Sequence, residues 1–410
     1  MLKKIEINRL FRAATRSLHP TNAKSIAKDI FGIRNHIGDS ETHLYGTLEW
    51  IKNAHEQAGN KGVAGGYSLI DGWLPPYPET TGYIIPTLLD FAEVSSEDDW
   101  RERALRMADW EIDVQMENGA VQAGLYEPGK PQVEAVFNTG QVVRGWCRIY
   151  SDTEFERFRE AAIRAGNWLL KFQDDDGAWR ISSAETETKV HAYDVRTAWS
   201  LLELYKITGA EEYKRAAISN IEWTLERQTN NGWFENNSFF RTEENWSNPF
   251  THMIAYVMEG LIESYKFLGT QKILDATVKT AERLLRIFEI KKYMHGDFDK
   301  NWKPTTNYSC LTGDAQIAGV WLQIFEITND VRFLNGALKL SDFVKSTQNL
   351  KAVNKGIRGG VKGSQPLNGK YTPFVFPNWA AKFHADTLMR EIRVMKEVEQ
   401  NVLSGAKIGS

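Results

Sequence analysis

The stretch QDDDGAW at residues 173–179 follows an amphipathic segment and recurs, less completely, at two other places in the chain. Its counterparts are QMENG at 115–119 and QTNNGW at 228–233, so the leading glutamines lie 58 and 55 residues apart. A glycine after a helix suits the left-handed conformation that ends many helices, and Asp or Asn before it favours a turn. The pattern predicts three helix ends at regular spacing.

A second pattern marks helix starts between these ends. Six apolar segments each open on a residue type that commonly caps helices. These residues are Thr81, Thr139, Asp194, Thr251, Thr312 and Asn378, and successive members lie 58, 55, 57, 61 and 66 residues apart. The segments that follow are apolar on most faces, as in Ile254 to Tyr265, and such a helix is buried. Short turns, such as 205–209, then lead into charged amphipathic segments. The sequence therefore predicts six pairs, each of one buried and one exposed helix.

Alternation of buried and exposed helices at a period near 57 residues predicts a closed double ring. Open solenoids of helix pairs have shorter repeats, of roughly 34 to 47 residues. We predict an all-α fold, an (α/α)6 toroid over residues 41–395, with a basic N-terminal helical extension at 1–40 and a tail at 396–410. Strand signals are weak, and only the Gly-rich segment 356–376 favours a hairpin.

Composition narrows the classes of partner. The formal net charge of -3 does not favour nucleic acid, and 42% hydrophobic residues suffice for a large core. The basic residues within 1–40 fit either a solvated helix packed on the ring or an amphipathic helix on a membrane surface. No apolar run matches a signal peptide or a membrane span. Cys147 and Cys310 show no metal or disulfide spacing, so we expect a cytoplasmic protein without metal or cofactor.

The QDDDGAW stretch resembles the QW-type repeat of terpene-cyclase and protein-prenyltransferase toroids. The whole ring resembles the (α/α)6 toroid of carbohydrate-active enzymes, among them unsaturated glucuronyl hydrolases, N-acylglucosamine 2-epimerases and several polysaccharide lyases. This resemblance implies an enzyme whose site lies in a central funnel. The QW repeat itself marks an architecture and carries no chemistry.

The loops from outer to inner helices are long, and long loops on a rigid scaffold tend to carry function. The inner-helix N-termini beside them favour anionic or polyhydroxyl ligands. The richest segment, 65–83, offers Glu79 as a general acid or base, together with aromatic rings able to stack on sugar faces: Tyr67, Trp73, Tyr77 and Tyr83. The alternatives are aromatics that plug the ring and a Glu79 that only stabilises the helix dipole.

A second cluster of candidate functional residues lies at the start of the third predicted buried helix. Asp194 beside Arg196 would stay ionised and serve as a nucleophile or base, with Tyr193 and His191 alongside. The alternative is an Asp194 that only caps its helix and pairs with Arg196. His252 is a structural residue unless it faces His191 across the funnel, where the two would form a proton shuttle.

Further candidates occupy equivalent places in the other repeats. Asp314 provides a third carboxylate. The residues expected to bind sugar hydroxyls or a substrate carboxylate are Asn138, Gln141, Gln316, Asn378, Trp379 and Lys382. The acidic run 174–176 and the segment 295–299 are better explained as polar turns.

The leading hypothesis is glycoside hydrolysis by paired carboxylates, on an acidic oligo- or polysaccharide. Arg196, Lys382 and the two histidines would suit uronic acids. A uronate lyase or epimerase of polysaccharide biosynthesis or remodelling is the alternative, with His or Tyr abstracting the acidified proton. A terpene-cyclase-like toroid and a non-catalytic glycan-binding toroid form a third class. The sequence leaves the oligomeric state open.

Overall fold

A computed structural model of the chain describes residues 23, 26–29, 31–181, 190–238 and 248–403. Twelve α-helices of the ring occupy this part of the chain: α1 Ser40–Gln57, α2 Pro78–Ser95, α3 Asp98–Val114, α4 Val136–Thr153, α5 Glu156–Phe172, α6 Val195–Thr208, α7 Glu211–Glu226, α8 Thr251–Leu268, α9 Gln271–Lys291, α10 Leu311–Thr328, α11 Val331–Thr347 and α12 Asn378–Leu403. Five short strands accompany them: β1 Gly66–Ser68, β2 Gly72–Trp73, β3 Ser309–Cys310, β4 Ser364–Gln365 and β5 Val375–Pro377.

The even-numbered helices form an inner ring, because each contacts the next and α12 returns to contact α2. The odd-numbered helices form the outer layer. Helices α3, α5, α7, α9 and α11 each pack on the inner helix before them, and α1 packs on α12. The predicted (α/α)6 toroid is confirmed.

The ring reaches slightly beyond the predicted 41–395, since α1 begins at Ser40 and α12 continues to Leu403. The predicted basic helix at 1–40, and the membrane contact expected of it, fall mostly outside the described residues. Within that segment, Asp29 forms an ion pair with Lys362. None of the described helices is both long and apolar enough to cross a membrane. Cys147 and Cys310 are buried free thiols.

The capping threonines play a different role from the one predicted. Helices α2 and α4 begin before Thr81 and Thr139, which lie one turn inside. Each hydroxyl accepts a hydrogen bond from the backbone of the preceding loop, at 2.9 Å from the nitrogens of Val63 and Val121. Each also donates to the carbonyl four residues back. These threonines therefore fasten the preceding loop to the first helical turn, and the predicted cap is wrong for both.

The glycines that follow the threonines explain why the pair repeats. A Cβ placed on Gly82 would lie 2.6 Å from the Cα of Val142 in α4. One on Gly313 would lie 2.7 Å from the backbone nitrogen of His252 in α8, and one on Gly140 would meet a threonine side chain of α6. No side chain fits in these gaps. The Thr-Gly repeat thus lets neighbouring inner helices approach closely enough to form a ring.

The QW-type elements join neighbouring outer helices. Gln173 donates from Nε2 to the carbonyls of Gly177 and of Ala216 in α7, both at 2.9 Å. Gln115 and Gln228 reach α5 and α9 in the same way. Gly177 has a left-handed φ of 88°, as predicted, but it lies in the turn beyond the helix and does not form its cap.

The small strands lie where the inner helices begin. Strand β1 is central in the order β2-β1-β5, and β3 pairs with β4. The hairpin predicted within 356–376 is wrong, because β4 and β5 pair with earlier strands and not with each other. These strands and the long outer-to-inner loops occupy one end of the ring.

Candidate active site

A cavity of about 360 Å³ lies at this end of the ring. Its wall combines the starts of five inner helices with the loop that precedes α12. The residues that carry its chemistry are Tyr77, Glu79, Tyr83, Asn138, Trp179, His191, Tyr193, Asp194, His252, Tyr256, Lys370, Tyr371 and Trp379. As far as the structure describes it, the wall is mainly aromatic, with two carboxylates and two histidines among the rings.

Asp194 is the more buried of the two carboxylates, with 3% of its surface exposed. It occupies the residue before α6, yet its side chain makes no capping hydrogen bond, so the carboxyl group remains available to the cavity. Oδ2 lies 3.6 Å from Nδ1 of His191, and Oδ1 has no hydrogen-bond partner among the described residues. Burial raises the pKa of Asp194, and the nearby His191 partly offsets this rise. The environment of Asp194 therefore favours the protonated carboxylic acid more than water does.

Glu79 lies in the first turn of α2 and is 8% exposed. The hydroxyl of Tyr77 donates a hydrogen bond to Oε2 of Glu79 at 2.7 Å. A hydrogen bond to a carboxylate favours its ionised form. The cavity thus presents two carboxyl groups from different helices in different surroundings.

His252 is held in one tautomer by a network that crosses the ring. Its Nδ1 lies 2.5 Å from Oε1 of Gln316, whose Nε2 donates to Oε2 of Glu259 at 3.1 Å. Glu259 also pairs with Arg196, and Arg196 donates from Nε to Oε1 of Gln141 at 2.9 Å. Because the Gln316 amide turns its NH2 group to a carboxylate, its oxygen faces the imidazole, and Nδ1 carries the proton. Burial lowers the pKa of His252 to about 3, so the ring is neutral and Nε2 is its basic nitrogen.

Arg196 and Lys382 do not line this cavity, although the sequence placed both at the substrate. The Arg196 guanidinium lies below the floor, 4.8 Å from the ring centre of Tyr256 and 5.7 Å from that of Tyr83. Both cations line a second cavity on the far side. Lys370, from the loop before α12, is the one lysine or arginine that the described residues place on the wall of the first cavity.

The structure brings most of the predicted residues together. Nine line the cavity: Glu79, Asp194, His191, His252, Tyr77, Tyr83, Asn138, Tyr193 and Trp379. Asn138 also donates from Nδ2 to the carbonyl of Gln122 at 3.1 Å, which orients its amide. Trp379 donates from Nε1 to the hydroxyl of Tyr371 at 2.7 Å.

The remaining predicted residues lie outside the cavity wall. Asp314 is fully buried, and its Oδ2 accepts a hydrogen bond from the Ser309 hydroxyl. Asn378 is equally buried and donates to the carbonyl of Ala64 at 3.0 Å. Gln141 and Gln316 do not line the cavity and instead hydrogen-bond Arg196 and His252.

Tyr67 and Trp73 also serve the framework. They face each other across strands β1 and β2, with ring centres 5.2 Å apart. Asn354 donates to the Tyr67 hydroxyl at 2.9 Å, and Trp73 packs against Trp50. These two rings stabilise the small sheet beside the cavity.

Sequence reasoning missed several residues of the wall. Tyr256 lies one turn after His252, so helical spacing could have placed it there. Lys370 and Tyr371 come from an irregular loop without a periodic signal. Trp179, expected to be structural, donates from Nε1 to the carbonyl of Leu169 at 2.9 Å and also lines the cavity.

The polar segments set aside in the sequence lie apart from the cavity wall. Arg180 binds Asp174 at 2.6 Å and Asp176 at 2.5 Å, on the surface. Asp297 accepts a hydrogen bond from Thr305. Within the described ranges, no three His, Cys, Asp or Glu side chains are grouped so as to hold a metal ion.

Comparison with known proteins supports the assignment of the fold. No family profile and no curated protein matches the sequence. Among solved structures, the chain is similar to the unsaturated glucuronyl hydrolase of Bacillus sp. GL1, with 15% identity, a TM-score of 0.67, and coverage of 86% of this chain and 96% of that one. It is also similar to cellobiose 2-epimerase from Bacillus thermoamylovorans B4167, with 12% identity, a TM-score of 0.66, and coverage of 85% and 98%.

A third similar structure is the GH76 α-mannanase BT2949 of Bacteroides thetaiotaomicron, with 13% identity, a TM-score of 0.61, and coverage of 88% and 98%. The matches span nearly the full length of these chains. The protein therefore has the (α/α)6 toroid fold that these hydrolases and epimerases share.

Proposed function

We propose that this protein is a carbohydrate-active enzyme that hydrolyses a glycosidic bond in the first cavity. The observation that carries the proposal is the pair of cavity carboxyl groups in unlike environments. Burial raises the pKa of Asp194, whereas Glu79 accepts a hydrogen bond from Tyr77. Glycoside hydrolysis needs such a pair, a protonated acid and an ionised partner. Asp194 would protonate the leaving oxygen, and Glu79 would act as the base or nucleophile.

The rest of the wall suits a sugar. The aromatic rings offer flat apolar faces, and His191 lies parallel to Tyr193 with ring centres 4.6 Å apart. The Asn138 amide and the tyrosine hydroxyls can bind sugar hydroxyls. A cavity of about 360 Å³ lies at the small end of ligand sites, which favours a short oligosaccharide or a chain end. The glucuronyl hydrolase and mannanase named above are hydrolases of the same fold.

An acidic substrate is favoured by Lys370. Among the described residues of the cavity wall it is the one lysine or arginine. Burial raises the pKa of the neighbouring Asp297, and the charge of Lys370 partly offsets this rise. In this proposal Lys370 binds the substrate carboxylate, the role predicted from the sequence for Arg196 and Lys382. A uronate carboxylate would bind at this side of the cavity.

A sugar epimerase is the second candidate, and His252 favours it. A neutral imidazole with one tautomer fixed by Gln316 is suited to move a proton at a sugar carbon. A pKa lowered to about 3 makes His252 a weak base, which is why we place hydrolysis first. A uronate lyase would use the same group.

The test is a panel of neutral and uronate-containing oligosaccharides, monitored in three ways. Hydrolysis releases reducing ends without new ultraviolet absorbance, a lyase produces both, and an epimerase produces neither but yields a new diastereomer by NMR. We expect reducing ends alone. Asp194→Asn should lower kcat by about 100-fold or more. The matched control is Asp314→Asn, which changes a buried carboxyl group away from the cavity and should retain turnover.

Two results would contradict the proposal. Unchanged turnover in Asp194→Asn would remove the proposed acid. A new diastereomer without bond cleavage, lost in His252→Gln and retained in Asp194→Asn, would establish the epimerase instead.

A further inference from the structure

A second cavity, of about 680 Å³, lies on the other side of the floor formed by Arg196 and its neighbouring rings. It occupies the part of the funnel where the inner helices continue and end. It is strongly charged. The cations on its wall are Arg144, Arg196, Lys266, Lys382, Arg390, Arg393 and Lys396, and the carboxylates are Asp90, Glu93, Glu259, Glu263, Asp386 and Glu397.

Six of these seven cations have a carboxylate partner. The ion pairs are Arg196 with Glu259, Lys266 with Glu263, Lys382 with Asp386, Arg390 and Arg393 with Glu326, and Lys396 with Glu41. The charges of these cations are therefore already balanced within the protein.

Arg144 is the exception. It is 8% exposed, and within the described residues it forms no ion pair. Its Nη1 is buried without a hydrogen-bond partner. The indole ring of Trp199 stacks on it, with the ring centre 3.5 Å from the guanidinium carbon. A buried guanidinium N–H group without an acceptor is energetically costly.

We propose that the second cavity binds a small anion with a phosphate or carboxylate group, and that Arg144 is its principal ligand. The planar guanidinium offers parallel N–H donors that match either group. Stacking on Trp199 fixes the plane of the Arg144 guanidinium before the anion binds. Arg196 and Lys382 lie on the same wall, but each is paired with a carboxylate, so Arg144 is the residue left to bind the anion.

The charge state of Arg144 agrees with this role. Burial and the neighbouring Arg196 lower the pKa of Arg144 to about 10, so it stays cationic at neutral pH. Arg196 lowers it by repulsion, and a bound anion would relieve that repulsion. The carboxylates Glu203, Glu263 and Glu259 raise the pKa of Arg144 and partly offset this lowering. This site is separate from the first cavity and does not depend on the reaction proposed there.

The experiment is isothermal titration calorimetry of the full chain with inorganic phosphate and, separately, with glucuronate, in chloride buffers of matched ionic strength. We expect one-to-one binding of at least one anion. Arg144→Gln should weaken it by about tenfold or more, because a charge-assisted hydrogen bond is lost. The matched control is Arg159→Gln, which removes one positive charge from the outer helix α5, where Arg159 pairs with Glu156 at 3.5 Å. The Arg159→Gln variant should bind the anion as tightly as the wild type does.

A second variant keeps the proposal testable if Arg144→Gln does not fold. Glu263→Gln removes a carboxylate that acts on Arg144 and frees Lys266, so it should tighten anion binding. Binding of phosphate alone would identify a phosphoryl ligand, and binding of glucuronate alone a carboxylate. The proposal is overturned if neither anion binds above chloride, if Arg144→Gln binds as tightly as wild type, or if Glu263→Gln fails to tighten binding.

Discussion

The close approach of the inner helices gives a sharp prediction for Gly82→Ala. The added Cβ would lie 2.6 Å from Cα, 2.8 Å from Cγ2 and 3.0 Å from the backbone nitrogen of Val142. Two of these atoms belong to the backbone of α4. A rotamer change cannot relieve the overlap, so α2 and α4 must move apart.

Whether Gly82→Ala raises or lowers the free energy of unfolding depends on two opposing contributions, helix propensity and overpacking. In an unhindered helix, Gly→Ala would stabilise by about 1 kcal/mol. Overpacking of a close-packed interior costs about 1–3 kcal/mol, and contact with backbone places this site at the upper end. We expect a net loss of about 2 kcal/mol in the free energy of unfolding.

Denaturant unfolding measures this loss as a lower midpoint at unchanged slope. The control is Gly319→Ala in the inner helix α10, where the added Cβ would approach only the hydroxyl of Thr387 within 3 Å, at 2.8 Å. Because that neighbour is a side chain, the control should lose less stability. A Gly82→Ala variant as stable as wild type would refute the close-packing argument.

Three further predictions concern the cavity and the core. His191→Gln removes the group that lowers the pKa of Asp194, so the alkaline limb of kcat/KM against pH should move to higher pH; a limb that stays in place would contradict the proposed acid. Burial holds the pKa of Asp314 well above its unfolded value, so its stabilising contribution is present at low pH and is lost as pH rises through the folded pKa. The Tm of Asp314→Asn should therefore exceed that of wild type by more as pH rises, and a constant difference would count against this linkage. Trp179→Ala removes a buried ring that also lines the cavity, so it should cost about 3–5 kcal/mol and raise KM, whereas an unchanged Tm would show that the ring does not support the core.

The fold was predictable because the repeat spacing is regular, but the roles of the repeated residues were not. Thr81 and Thr139 belong to a type that favours helix caps, and they lie within a turn of the helix start. A single sequence does not distinguish a capping threonine from one that anchors a loop a turn later. The tight contact at Gly82 becomes visible only when Val142 of the next inner helix is in place.

The cavity residues that lie at the starts of the repeated inner helices could be predicted, and those outside the repeat pattern were missed. Glu79, Asp194 and His252 all lie near the start of an inner helix, so the ring gathers them. Arg196 is two residues beyond Asp194, and side chains at that spacing on a helix do not share a face. Lys370 comes from an irregular loop, whose path no periodicity predicts.

The pairing of α1 with α12 affects how the protein must be made. Every other outer helix follows its inner partner directly along the chain, but α1 packs against α12, the last of the twelve helices of the ring in chain order. Before α12 is synthesised, the chain lacks the helix that contacts both α2 and α10, so the faces of these two helices that α12 covers have no partner. Residues such as Ala381, Phe383 and Leu388 of α12 fill that gap. The ring can therefore close only after α12 has been synthesised.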